Sequence, residues 1–222
     1  MLPGSASRDI GEALLHPSKE EGRAIVSSML TSGIDVDALC EIMIPDAARR
    51  LGDGWTDDRL TFTDVSIGTA HLQAIYRGLE IRYEQRQSNR PVGLGTMLMV
   101  VPGTEDHTLG ALIAASQFRK LGYSVEFAMA KAPREVEKMV LETNPAIVGV
   151  SVGSRRSIAS LREIVQRARD VTDRLTLAAG GAFTLVDPGA LDATGVDVVS
   201  NDPAEAVAYA TAPASISCES TP

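Results

Sequence analysis

The spacing of hydrophobic positions along this chain changes once, near residue 90. Before that point apolar residues recur only at helical intervals. Ile10, Leu14 and Leu15 share one side of a short segment that ends at Pro17. Ile25, Met29 and Leu30 line a second segment from about Lys19 to Thr31, which Gly33 closes. Asp35 is placed to cap a third helix, in which Leu39, Met43 and Ile44 form a stripe, Pro45 introduces a kink, and the end falls near Leu51. A fourth, from roughly Thr63 to Glu84, carries Ile67, Ala70, Ala74 and Gly78. Four helices with short connections predict a small bundle over residues 1–86, and the polar, Pro-containing stretch 87–92 reads as a linker.

Beyond the linker, short apolar runs alternate with amphipathic segments. The runs at 97–101, 123–127, 146–150, 175–179 and 196–199 have strand length and composition. Helical periodicity lies between them, at about 108–121, 133–143 and 156–170, with a short turn after the fourth strand. A last helix opens at Asp202-Pro203-Ala204-Glu205, where a cap, a first-turn Pro and a third-position Glu agree. Strands alternating with helices predict an α/β domain over 93–211, a doubly wound, five-stranded parallel sheet of flavodoxin-like (Rossmann-like) order. The Ser-, Thr- and Pro-rich tail 212–222 reads as disordered.

Composition narrows the function. At 222 residues, 44% hydrophobic and 23% charged, the chain has the make-up of a folded globular protein. Its formal charge of -8 is spread evenly, with 10 Lys/Arg against 14 Asp/Glu in residues 1–90 and 11 against 15 in the rest. That balance argues against whole-domain attraction to nucleic acid or anionic lipid, leaving only a local basic patch such as Arg155-Arg156. Aromatic residues, at 4%, are too few for a single-strand stacking platform. Cys40 and Cys218 form neither a disulfide framework nor a zinc spacing. The longest apolar run, Val92 to Val101, is half a membrane span, and residues 1–17 lack the features of a signal peptide, so a cytoplasmic protein without a membrane partner is expected.

In open parallel sheets ligands bind beyond the carboxyl ends of the strands, where strand order reverses. Three loops meet that description. The first runs Pro102-Gly103-Thr104-Glu105-Asp106-His107-Thr108-Leu109-Gly110; the others are Ser151-Val152-Gly153-Ser154 and Gly180-Gly181. A His close to a carboxylate suits metal ligation, because the carboxylate fixes the ring tautomer; Glu105 or Asp106 can serve His107 in this way. Gly110 lets a ligand approach the backbone, and Ser151, Gly153, Gly180 and Gly181 keep the neighbouring loops small. The plainer readings are a helix-start His and a Gly-Gly turn. The chain has no GxGxxG and no GxxxxGK[ST], which argues against nucleotide binding, and the acid–His pair has no obvious attacking partner, which argues against nucleophilic catalysis.

Together, E-x-H-x-x-G at 105–110, V-S-V-G-S at 150–154 and A-A-G-G-A at 178–182 resemble the D-x-H-x-x-G, S-x-L and G-G signatures of cobalamin-binding domains, in motif and in spacing. The resemblance implies that His107 is the lower cobalt ligand, that Glu105 is its partner, and that Ser151, Gly153, Gly180 and Gly181 line a slot for the nucleotide tail. Asp106, Thr108 and Gly110 complete the cofactor loop, and the helical bundle covers the corrin's upper face. Glu105 and Gly153 depart from the usual Asp and Leu. Glu at the first position also occurs in light-sensing regulators of the CarH type. In those a Trp is followed ten and eleven residues later by Glu-His; here Trp55 is followed by Val65 and Ser66. Trp55 is then a corrin-covering residue by resemblance, or a core anchor of the bundle.

The segment from Leu51 to Glu80 is most similar to the antirepressors of the AerR (PpaA) type from purple photosynthetic bacteria. That resemblance implies a light-responsive transcriptional regulator and not an enzyme. It would bind adenosyl-, methyl- or hydroxocobalamin and act on a DNA-binding repressor of the CrtJ (PpsR) type, with no DNA-binding domain of its own. Loss of a light-labile upper alkyl group would shift the bundle or admit a second His, His16 or His71. The alternative is a corrinoid carrier for methyl transfer between methyltransferases. A third reading keeps the fold but binds haem or nothing.

Overall fold

The structure is a computed structural model that describes residues 19–87, 93–105 and 108–212. The segment up to Pro17 predicted to be helical, His16, the linker from residue 88, Asp106, His107 and the tail from residue 213 lie outside the described residues. Two compact units result, Met1–Arg90 and Pro91–Pro222.

In the first unit α1 spans Lys19–Thr31. Gly33, at φ +87°, ends it as expected: the Ile34 N–H donates to Met29 O at 3.0 Å and the Gly33 N–H to Leu30 O at 3.1 Å. Asp35 does take the N-cap position of α2 (Val36–Ala38), with extended backbone, but its side chain makes no capping bond. A π-helical stretch, Leu39–Met43, then leads into α3 (Ile44–Thr56), with Pro45 in its first turn. The widened turn lies just before Pro45, which has no N–H to donate and whose ring crowds the chain of the preceding turn.

α3 runs to Thr56, past the expected end near Leu51, because Gly52 and Gly54 do not terminate it. At Gly54 a Cβ would lie 2.6 Å from Leu60 Cδ1, so this glycine is a contact point for the returning chain. α4 (Phe62–Gln87) begins with a capping box: Asp64 Oδ2 accepts from the Thr61 N–H at 2.9 Å and from Thr61 Oγ1 at 2.7 Å. Leu39, Ile44, Ala47, Leu72 and Tyr76 are buried in this unit, and Gly68 lets Leu51 press on α4.

The second unit is a five-stranded, all-parallel sheet of order β2-β1-β3-β4-β5. Its elements are β1 (Thr96–Pro102), α5 (Leu109–Lys120), β2 (Ser124–Lys131), α6 (Pro133–Thr143), β3 (Ile147–Ser151), α7 (Ile158–Val171), β4 (Thr176–Gly180), α8 (Pro188–Asp192), β5 (Val198–Val199) and α9 (Pro203–Thr211). Strand side chains alternate between two cores. Leu98, Val100, Val148, Val150, Leu177 and Ala179 pack with Val136, Val140, Leu161 and Ile164 of α6 and α7. Met97, Met99, Val101, Ile147 and Ala178 pack with Ala111, Ala115 and Phe118 of α5 and Ala206 of α9.

β5 is shorter than the predicted 196–199 for a specific reason. The Asp197 N–H still donates to Leu177 O at 2.8 Å, but the Leu177 N–H goes to the Asp197 side chain at 2.7 Å, which also accepts from Arg169 at 2.5 Å. Among the described residues no helix is long and apolar enough to cross a membrane.

Candidate functional site

The strand order reverses between β1 and β3, so the loops after these two strands open at one end of the sheet. β1 reaches this end through an irregularity. Ala130 of β2, at φ +53°, is left out of the ladder, Pro102 pairs instead with Lys131, and the Gly103 N–H donates to Lys131 O at 3.3 Å. The Glu105 N–H then closes a turn on Pro102 O at 2.9 Å. The first loop thus turns back toward β3.

Glu105 is buried, with 7% of its surface exposed, and its carboxylate crosses to the loop after β3. Oε2 accepts from the Gly153 N–H at 2.6 Å and from Ser157 Oγ at 3.2 Å. Ser157, fully buried at the end of a single 3-10 turn (Arg155–Ser157), also accepts from Thr104 Oγ1 at 3.2 Å. Gly153 is required by this packing: a Cβ there would lie 2.8 Å from Glu105 Oε1. The two departures from the cobalamin-domain signatures, Glu for Asp and Gly for Leu, therefore touch one another. The longer acid occupies the space that the missing side chain vacates.

The loop after β4 is stitched as tightly. Gly181 has φ +116°, and a Cβ on it would lie 2.6 Å from Val152 O; one on Gly180 would lie 2.8 Å from Ser200 O. Asn201 Oδ1 accepts the Gly181 N–H at 2.7 Å, and its Nδ2 donates to Thr184 Oγ1 at 2.6 Å. At the rim Arg155 joins the two loops, reaching Asp187 at 3.2 Å and lying 5.9 Å from the centre of the Phe183 ring. Ser157 and Asn201 escaped the motif reading. The sequence signal that points to them is slight: a hydroxyl at the start of α7 and an Asn before the cap of α9.

Of the predicted site residues, Glu105, Ser151, Gly153, Gly180 and Gly181 are brought together at this end of the sheet, with Thr108 at the N-cap position of α5. Gly110 follows in the first turn of α5, with nothing among the described residues within 4 Å of where its Cβ would be. In the other unit Trp55 is 53% exposed, so it is not a core anchor, and His71 is buried at 7%.

A family model described as the B12 binding domain matches residues 95–211. The chain belongs to that family. An uncharacterized 20.5 kDa protein in the bchF-crtJ intergenic region of Rhodobacter capsulatus is 32% identical over 170 residues, 76% of this chain and 88% of that protein. The monomethylamine corrinoid protein of Methanosarcina barkeri has the same fold at 13% identity, with a TM-score of 0.79 over 94% of this chain and 98% of that one.

The cofactor of a B12-binding domain is cobalamin, and the residues present fit it. One buried hydroxyl at this end of the sheet, Ser154 Oγ in the loop after β3, has no hydrogen-bond partner among the described residues. Such a group suits a ligand rich in amides and carrying a phosphate. A corrin also supplies four nitrogens to its cobalt, so the protein need add only one more. That is what a loop with a single His offers.

Proposed function

We propose that this B12-binding protein is a light-responsive antirepressor that acts on a DNA-binding repressor of the CrtJ (PpsR) type. His107 is the lower cobalt ligand, and the loops after β3 and β4 take the nucleotide tail. The observation that carries the site assignment is the Glu105 clamp: a buried carboxylate, two positions before the His, held by the Gly153 N–H and Ser157 Oγ. Support for the regulatory role comes from the relative in the bchF-crtJ region and from the evenly acidic surface, which favours a protein partner over a DNA backbone.

In this reading each residue has a defined task. Ser157 and the Gly153 N–H hold Glu105 in place, and Glu105 orients the imidazole of His107 so that one ring nitrogen faces the metal. Asn201 and Thr184 fix the Gly180-Gly181 turn that bounds the slot. Trp55, exposed in its own unit, is the corrin-covering residue that the resemblance implies. When bound, an alkyl-cobalamin supplies a cobalt–carbon bond that visible light breaks.

The test uses the purified full chain, incubated in the dark with adenosyl-, methyl- and hydroxocobalamin and then illuminated. One form should be retained preferentially, with a spectrum that changes in H107A, and capture of a purified CrtJ-type repressor should differ between dark and light. A spectrum indifferent to H107A removes the His from its role. Repressor capture that is absent, or equal in both conditions, removes the antirepressor. Acceptance of a methyl group from a methyltransferase, followed by its release to a thiol, would establish the carrier instead.

A further inference from the structure

β3 presents Ile147, Gly149 and Ser151 to the face covered by α5 and α9, and β4 presents Thr176, Ala178 and Gly180 to the same face. In register, Ser151 stands beside Gly180 and Gly149 beside Ala178. For two rungs inward from the loops, about 7 Å of strand, β3 and β4 therefore carry only very small side chains on this face, between Val101 of β1 and Val198 of β5. Ala111, Ala115 and Ala206 lie opposite them on the helices.

One larger residue type enters this strip. A Cβ on Gly149 would lie 2.6 Å from Met97 Cε and 3.7 Å from Met99 Cε. Met99 pairs directly with Gly149, whereas Met97 pairs with Ile147, so the Met97 side chain reaches along the sheet to fill the notch over the glycine. Met97 and Met99 are 0% and 4% exposed. A glycine inside a central strand weakens it, and a small branched side chain at position 149 would fill the notch rigidly. The chain instead has an absent side chain covered by an unbranched one with three rotatable bonds, a filler able to change shape.

We infer that Met97 and Met99 form a displaceable stopper at the inner end of the nucleotide slot, and that they set which corrinoid lower bases this chain accepts. The inference rests on the reading that the loops after β3 and β4 take the nucleotide tail. A bulky benzimidazole-type base enters to the level of Gly149 by swinging the Met97 methyl aside; a stiff or thicker floor at that level excludes it. Recognition of the corrin ring itself does not depend on these residues.

The test compares hydroxocobalamin with dicyanocobinamide, which has a corrin but no nucleotide. Both are titrated against the full chain by quenching of Trp55 fluorescence. Wild-type protein should bind hydroxocobalamin at least tenfold more tightly than cobinamide. G149A and M97I should each weaken hydroxocobalamin about tenfold or more and leave cobinamide unchanged, and adding M97A to G149A should restore the loss. Should thermal melting show that G149A does not fold, M97I alone decides. Equal weakening of both ligands, or no weakening of either, overturns the stopper while leaving the slot intact. Wild-type protein that binds both ligands equally overturns the buried-nucleotide reading itself.

Discussion

The carboxylate of Glu105 and the missing side chain of Gly153 share one volume, so substitutions at the two positions should not add. G153A should disturb the clamp, because its Cβ meets a carboxylate oxygen 2.8 Å away. E105D should withdraw that oxygen and relieve the clash. A double-mutant cycle on urea stability is expected to show a favourable coupling of about 1 kcal/mol or more; additivity would mean the two residues act separately. Gly181 offers a contrast. Its positive φ and the 2.6 Å approach to Val152 O predict that G181A loses roughly 2–3 kcal/mol even without cobalamin, measured by the same unfolding curve. G110A should cost the fold nothing, since nothing among the described residues lies within 4 Å of its Cβ position. Glu105 and the glycines were legible in the sequence because their chemistry shows in the residue type. Ser157 and Asn201 were not, since a Ser or Asn becomes informative only when a partner 52 or 20 residues away is brought to it.

Helix ends and strand ends separate the legible from the illegible at the scale of elements. α1 and α6 fall where the pattern puts them, because caps and periodicity are local. β5 contracts where one side chain, Asp197, captures the Leu177 N–H, and at the far end of α3 Leu60 packs into the room that Gly54 leaves. The Thr61/Asp64 box at the start of α4 gives a test in pH. Its hydrogen bonds to the Thr61 hydroxyl and N–H hold the Asp64 carboxyl below the ordinary aspartate value of 3.8. A group depressed in the folded state stabilises above its unfolded value and loses that contribution as pH falls through the folded one. Melting followed by circular dichroism from pH 6 to 3 should therefore show a loss beginning near pH 4 that is smaller in D64N. Parallel curves for the two proteins would remove Asp64 from the cap. At the rim of the sheet, Ala130 holds a left-handed conformation at φ +53°. A130G should raise stability by up to about 1 kcal/mol, and a fall would show that its methyl group is needed there.

For the whole molecule, two units with separate cores imply that heating reports on each. A ligand that binds only the folded state stabilises it by about 2.7 kcal/mol at 100 times its Kd. For the unit of residues 91–222 this corresponds to a rise in Tm of roughly 10 °C. Calorimetry of the full chain in the dark, with and without hydroxocobalamin, should resolve two transitions, and the one belonging to the B12-binding unit should move by about that amount. If Trp55 contacts the corrin, the helical unit's transition should move upward with it, and W55A should uncouple the two while leaving most of the larger shift. A helical transition that stays fixed at saturating cobalamin would assign the cofactor to residues 91–222 alone. In the proposed antirepressor, the signal would then have to pass through the loops at the end of the sheet and not through the helices.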